Sequence, residues 1–361
     1  MNNILITGAD GYVGKKVCKN LLASRNMNLY LWMRADSEDE RKTKRLRIDK
    51  ELIEYKGLYT LSFGNLKQEN PFEDIDKDII TEIIHSAAVI RFNVDEQTAL
   101  KVNLEGTNKI IKFAKSCKNL NNLLYVSTVY SSGPTTGEIS EELFSLDKEF
   151  VNFYEKSKCQ SEIQVANSGL NYKIARLSTI ISDSKDGEVI QFNVFHNTLR
   201  LLYNGLISIL PGDPDVPLYF ITGDFAAKAI VDIFQSNTSN SIYNVCHEKN
   251  ESASMNDLLE CVFETFYENE IFRNKRIMKP LFANEKTFNT MAKAMENFSQ
   301  GILADALGSI TPFAKQLYIS KSFSNKNLKE VMNDYDAPNA KELIKSTTRY
   351  LVKSKWGRNE S

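Results

Sequence analysis

The residues best suited to chemistry lie in Tyr154-Glu155-Lys156-Ser157-Lys158, where a tyrosine and a lysine stand four positions apart. On a helix that spacing puts both side chains on one face. A phenol with a pKa of about 10 exchanges protons poorly at neutral pH, but a neighbouring ammonium stabilises its anion and lowers that value. Such a pair suits protonation of an oxygen that turns negative when hydride reaches the carbon beside it. Alone, the spacing is common by chance and describes many solvated helix faces. Here it follows a strand ending Tyr125-Val126-Ser127-Thr128, separated from it by a loop. Thr128 or Ser127 could donate a second hydrogen bond to the same oxygen. Thr128, just beyond the strand, is the better placed, although either hydroxyl could simply cap the strand end.

A second motif is Thr7-Gly8-Ala9-Asp10-Gly11-Tyr12-Val13-Gly14, a TGxxGxxG directly after an apolar run. Gly8 permits a tight turn, Gly11 lets backbone approach a pyrophosphate, and Gly14 allows close helix–strand packing. The helix that follows offers free N–H groups to an anion. Arg34 ends the next apolar run, where an acidic residue would bind a ribose hydroxyl and an arginine accommodates a 2′-phosphate. Arg34 therefore favours NADPH over NADH, with Lys44 or Arg45 as possible helpers. Asp36 becomes the ribose ligand instead if the strand ends later.

The elements that must position these residues alternate. Strands are expected at Asn3–Thr7, Leu29–Met33, Leu58–Phe63, Ile83–His85, Leu123–Ser127 and Tyr172–Leu177. Between them helices are expected at Gly11–Ser24, Asp39–Tyr55, Ala99–Ser116 and Phe150–Asn167. This is the pattern of an α/β fold, a Rossmann-type doubly wound parallel sheet. Past residue 180 the regularity weakens: a helix over Val189–Asn204, a turn-rich Leu210–Pro217, helices at Asp224–Phe234 and Met255–Phe266 with a strand Ser241–Val245 between them, and helical pattern from Glu285 to Lys353. The expected organisation is a dinucleotide-binding domain with the catalytic residues over 1–180, a smaller, mostly helical C-terminal substrate cap over 181–355 with parts returning to the sheet, and a polar tail over 356–361.

Composition narrows the classes. The 361 residues carry 45 Lys+Arg against 46 Asp+Glu, a net charge of -1, so no basic excess exists to displace counterions from a nucleic acid. No apolar run approaches the roughly 20 residues needed to span a bilayer. The N-terminus lacks a signal-peptide layout, so a cytoplasmic protein is expected. The five cysteines are scattered without CxxC, and the three histidines stand far apart, so neither disulfides nor a metal site is expected. His85 is expected in the core, as is the stripe Phe192, Phe195, Leu199, Leu202 and Tyr203, one edge of which could line an acyl pocket.

Taken in order, the glycine motif, His85-Ser86-Ala87-Ala88, Asn103-Leu104-Glu105-Gly106-Thr107, Ser127-Thr128 and Tyr154…Lys158 resemble an extended short-chain dehydrogenase/reductase. LWMRAD, Gly64-Asn65-Leu66, HSAAVIRFN, VNLEGT and LPGDPDVPLYFITGDFAAKAI are similar to the branch holding thioester reductase domains, carboxylic acid reductase terminal domains and fatty acyl-CoA reductases; Thr311-Pro312-Phe313 echoes it faintly. The resemblance implies that Gly8, Gly11, Tyr12, Val13 and Gly14 cradle the pyrophosphate and Arg34 the 2′-phosphate of NADPH. It places Asn65 and Leu66 by the adenine, Ala87 and Ala88 beside the nicotinamide ribose, and Asn103 as support for a neighbouring backbone or a proton relay. Thr128 and Tyr154 would bind the substrate carbonyl, and Lys158 the ribose while tuning Tyr154.

The reaction implied is NADPH-dependent reduction of an acyl thioester to an aldehyde, with or without onward reduction to the alcohol. The partner would be coenzyme A or a separate acyl or peptidyl carrier protein; the oligomeric state is open. Two departures stand out. Asn65 replaces the family's usual aspartate, and Arg176-Leu177 replaces an arginine–proline pair, which alters the expected pocket entrance. Two alternatives remain on the same scaffold. One is a nucleotide-sugar epimerase, dehydratase or ketone reductase, against which stands the missing asparagine–valine–tyrosine–glycine–proline pattern after strand six. The other is a non-catalytic NADP-binding sensor, which would need no proton donor.

Overall fold

In a computed structural model the described residues are 2–296 and 310–357. Seven strands form the main sheet: β1 Asn2–Thr7, β2 Met27–Arg34, β3 Tyr59–Gly64, β4 Glu82–His85, β5 Asn122–Thr128, β6 Tyr172–Leu177 and β7 Ser241–Val245. Their order is β7-β6-β5-β4-β1-β2-β3, and every pairing is parallel. Strands buried on both faces read as continuous apolar runs, which is why Ile4, Leu5 and Ile6 are all fully buried. The chain leaves β1 in one direction to β2 and returns on its other side at β4. That reversal opens a crevice at the carboxyl ends of the strands, where such sheets bind ligands.

Helix α1 (Tyr12–Ala23) packs on one face of the sheet, while α2 (Glu38–Glu51) follows β2. Helices α3 (Glu105–Ser116) and α4 (Phe153–Ala166) bury apolar residues such as Ile110, Ala114 and Val165 on the opposite face. Beyond β6 the chain builds a second apolar core from α5 (Val194–Tyr203), α7 (Met255–Tyr267) and α8 (Ala340–Lys353), while α6 (Gly223–Gln235) returns to pack beside α1. No described helix is long and apolar enough to cross a membrane. All five cysteines are free and buried.

Three departures from the expected elements bear on the site. The helix expected over 99–116 is broken: Glu96–Ala99 is one α turn, Leu100–Leu104 a π turn, and α3 begins only at Glu105. The helix expected from Val189 starts at Val194, where Asn193 and His196 form a reciprocal cap. Residues before that cap are thereby free to wall the crevice. Within the stretch expected to be helical from Glu285, Lys321–Phe323 is a strand that pairs in parallel with Gly137–Ile139. Three-residue strands carry no readable alternation. Trp356 packs against Tyr203 and Phe266. The remainder of the expected tail, 358–361, and the stretch 297–309 lie outside the described residues.

Candidate active site

The glycine loop joins β1 to α1. Gly8 has φ +72, and a Cβ there would stand 2.9 Å from the backbone of Ala87. A Cβ on Gly14 would stand 2.1 Å from the Gly8 carbonyl oxygen, so the helix can begin against the loop only because both positions are glycine. No side chain caps α1, whose N-cap is Gly11, which leaves its first N–H groups for an anion. Val13 lines the crevice with this loop. Tyr12 also lines it, but its hydroxyl is spent inside the protein, donating to Asp183 Oδ1 at 2.8 Å. Burial and the Asp183 carboxylate hold that phenol far above its ordinary value.

Beyond the end of β2 the side chains interlock. Arg34 faces Asp36 at 3.8 Å, and Asp36 accepts a hydrogen bond from Asn65 Nδ2. Because the strand ends at Arg34, Asp36 lies past it with its carboxylate already engaged. Lys44 reaches back from α2 and donates to Asp10 Oδ2 at 2.7 Å and to the Arg34 carbonyl at 2.6 Å. Arg45, the other candidate helper, lies over the Phe63 ring at 5.5 Å and does not line the crevice. Asn65 and Leu66 do line it; Leu66 is buried against Gly106.

Across the crevice, Ala87 and Ala88 line the loop after β4. His85 is buried and bonded through Nδ1 to Thr7 Oγ1 at 2.6 Å; burial drops its pKa to about 3, so it is a neutral core group. The π turn swings Asn103 inward. Its Oδ1 accepts from Val89 N at 2.8 Å, and its Nδ2 donates to Val89 O at 3.1 Å and Ser157 Oγ at 3.0 Å. Asn103 thus clamps the loop after β4 to the helix of Tyr154, and it is not among the residues lining the crevice.

The residues expected to carry the reaction meet where β5 ends beside α4. Thr128, Tyr154 and Lys158 are buried and all line the crevice. Burial drives the Tyr154 phenol well above its ordinary value, and a hydrogen bond with Thr128 opposes that rise. Lys158 Nζ donates to Val126 O at 2.8 Å and lies 4.1 Å over the Tyr125 ring. Burial lowers its pKa to about 7, with the Glu162 carboxylate pulling the other way. Successive strand residues face opposite ways, so the Ser127 hydroxyl turns inward and bonds to Glu162 Oε1. Of the two hydroxyls weighed from the sequence, Thr128 is the one placed beside Tyr154.

Under this centre lies an ion pair closed to solvent. Arg176 Nε and Nη2 donate to Glu162 Oε2 at 3.0 and 2.7 Å, with side-chain exposures of 0% and 1%. The guanidinium also donates to the Glu142 carbonyl at 2.7 Å and stacks 3.8 Å from the Phe144 ring. Arg176 therefore braces β5, α4 and the 140–144 loop, and Leu177 is its neighbour on the crevice wall.

Two groups around Tyr154 had no local signal. Glu155, inside the motif, is fully buried: its carboxylate accepts from Gln316 Nε2 at 2.8 Å and Asn152 Nδ2 at 3.1 Å. Burial raises its pKa above the carboxylate range, and the Lys321 ammonium pulls it back. Lys321 in turn donates to the Gly133 carbonyl at 2.8 Å and Ser132 Oγ at 3.2 Å. Gln316 and Lys321 lie more than 160 positions from Glu155, beyond any spacing argument. The second group is aromatic. Phe92 meets Tyr154 edge-on with centroids 5.5 Å apart, and Tyr130 and Phe313 close around Phe92 at 5.6 and 4.9 Å. The crevice continues past Tyr154 along Phe92, Ile181, Val189, Ile190 and Phe192. Of the apolar stripe noted in the sequence, Phe192 lines it, whereas Phe195, Leu199 and Leu202 are buried in the second core.

A family model described as Male sterility protein, an NAD-binding domain, matches residues 6–230. Fatty acyl-CoA reductase 2, chloroplastic, of Arabidopsis thaliana is 34% identical over 166 residues, which are 39% of this chain and 27% of that protein. The chain therefore aligns with little more than a quarter of that relative's length. The terminal R domain from the myxalamid PKS-NRPS biosynthetic pathway superposes with a TM-score of 0.78 at 18% identity, covering 100% of this chain and 93% of that one. A thiolation-reductase di-domain from an archaeal non-ribosomal peptide synthetase superposes with a TM-score of 0.71 at 19% identity, covering 98% and 76%. At these identities the structural likeness is one of fold.

Proposed function

The chain belongs to the Male sterility protein family of extended short-chain dehydrogenases/reductases, and on that premise we propose that it is an NADPH-dependent reductase of acyl thioesters. The observation that carries this reading is the shape of one crevice of about 880 Å³. It joins the glycine loop to Tyr154 and then continues along Phe92, Ile181, Val189, Ile190 and Phe192, an apolar stretch that suits an acyl chain, with Thr179, Gln191 and Asn193 among the polar residues beside it.

The residues present fit a dinucleotide, because the glycine loop has no room for a Cβ at Gly8 or Gly14 and α1 opens uncapped. In this reading the loop and α1 hold the pyrophosphate, Arg34 and Lys44 the 2′-phosphate, Asn65 and Leu66 the adenine, and Ala87, Ala88 and Lys158 the nicotinamide ribose. A nicotinamide cofactor held there would bring the hydride that reduces the thioester carbon. Thr128 and Tyr154 receive the carbonyl oxygen, their hydroxyls aimed where negative charge develops. Tyr154 keeps its proton at Oη until that charge appears, since burial disfavours the phenolate. Lys158, when charged, would stabilise the phenolate left on Tyr154; collapse of the hemithioacetal then re-forms C=O and breaks the C–S bond, the thiolate leaving as the thiol with the hemithioacetal hydroxyl proton. Residues 1–180 would form the cofactor and catalytic unit and the later segments the substrate cap.

The test is NADPH consumption by the purified protein against acyl-CoA and acyl-pantetheine thioesters, with nucleotide sugars and simple ketones beside them. Thioester-dependent oxidation is expected; turnover of sugars or ketones alone would overturn the reading. For the cofactor, Arg34→Ala is expected to weaken NADPH binding about tenfold through loss of a charge-assisted contact, and NADH binding far less. Equal weakening in fluorescence titrations of both nucleotides would remove Arg34 from the 2′-phosphate site.

A further inference from the structure

We propose that Arg91 recognises the phosphate of the phosphopantetheine arm that carries the acyl thioester, an inference that rests on the thioester reading above. The loop between β4 and the Glu96–Ala99 turn is fixed at both ends. Asn103 clamps it at Val89, and Asp95 caps the turn by accepting from Thr98 N at 2.8 Å. Between these points Val94 N donates to the Arg91 carbonyl at 3.2 Å. The backbone is therefore held, yet the Arg91 side chain is exposed, lines the crevice and makes no hydrogen bond, ion pair or ring contact with any described residue.

The other charges lining the crevice have places of their own. Arg34, Lys44, Asp10 and Asp36 interlock at the end of β2, Lys158 is held at Val126 O, and Lys67 acts on the Asp95 carboxylate. Among the described residues no carboxylate lines the part of the crevice beyond Tyr154, so an anion there meets Arg91 unopposed. Its neighbours fit the rest of such a ligand. Phe92, the next residue, faces Tyr154, while Ile90 and Ile190 on the lip are 58% and 60% exposed. An apolar acyl group inside, a slender arm across an apolar lip and an anion outside is the layout of a phosphopantetheine thioester. A guanidinium presents a planar fork of donors that matches phosphate oxygens two at a time. Coenzyme A and a carrier protein offer the same phosphate.

The experiment compares one acyl group on four handles: N-acetylcysteamine, which has no phosphate, 4′-phosphopantetheine, coenzyme A and an acylated carrier protein. Steady-state kcat and KM are measured for the wild type, Arg91→Ala and Arg91→Lys. The wild type should favour the phosphate-bearing handles over N-acetylcysteamine in kcat/KM. Arg91→Ala should shrink that preference roughly ten- to hundredfold, chiefly through KM, and Arg91→Lys should restore part of it. Loss shared by coenzyme A and phosphopantetheine assigns Arg91 to the common phosphate, and the carrier-protein arm shows which source the enzyme prefers. An unchanged preference in Arg91→Ala overturns the proposal, as does a loss confined to coenzyme A, which would place Arg91 on the nucleotide. A wild type inert toward every thioester overturns the reaction reading itself, and that result is distinct from the other two.

Discussion

Tyr154→Phe should lower thioester reduction by about two to four orders of magnitude, the range spanned by a positioned proton donor, while NADPH affinity stays within a few-fold. The phenyl ring keeps its edge-on contact with Phe92, so the crevice retains its shape. What disappears is one of two hydroxyls able to meet the developing oxyanion, which leaves Thr128 alone beside it. Stopped-flow or steady-state absorbance at the nicotinamide band reads the rate, and fluorescence titration reads the affinity. Turnover close to wild type would remove Tyr154 from the mechanism. The same assay has a pH arm. Burial sets the Lys158 pKa to about 7, so its charge is present below that pH and lost above it. In the reductive direction kcat/KM, which reports the free enzyme, should therefore fall as pH rises past about 7. Lys158→Met, uncharged throughout, should show no such limb.

The largest effect on stability is expected at Arg176. Arg176→Leu leaves the Glu162 carboxylate buried beside Ser127 with its ion-pair partner gone, and breaking a buried pair in this way costs about 3–5 kcal/mol. Replacing both partners by leucine should recover much of that loss, because no uncompensated charge then remains. Denaturant midpoints of the wild type, the single variant and the double variant decide the matter. A double variant as unstable as the single one would show that the guanidinium matters through its carbonyl contacts to the 140–144 loop, not through Glu162.

Much of this site was legible because its signals are local. Gly8, Gly11 and Gly14 act within one turn, Arg34 ends an uninterrupted apolar strand, and Tyr154 and Lys158 are one helical turn apart. The strands of the sheet are buried on both faces, so their positions read directly as apolar runs. Legibility failed where a residue's surroundings come from far along the chain. The resemblance implied that Asn103 supports a neighbouring backbone, as its bonds to Val89 do, but the helix expected over 99–116 gave no sign of the π turn that turns it toward Val89 and Ser157. Glu155 carried no signal of its own inside the motif, and the partners that bury it, Gln316 and Lys321, come from far along the chain. Lys321–Phe323 is too short to alternate, and its pairing with Gly137–Ile139 is a matter of tertiary placement. The apolar stripe of α5 was correctly read as core, but which edge reached the crevice depended on where the Asn193 cap ended the helix.

The Glu155 cluster also sets an order in time. During synthesis the glycine loop, Thr128, Tyr154 and Lys158 all leave the ribosome long before Gln316 and Lys321 do. Until those late residues arrive, the start of α4 carries a carboxylate whose buried partners do not yet exist, and the edge-on stack at Phe92 lacks Phe313. A nascent chain thus holds Thr128, Tyr154 and Lys158 while the packing around them is incomplete. A chain that stops before residue 316 carries the Tyr154–Lys158 motif without the partners that bury Glu155.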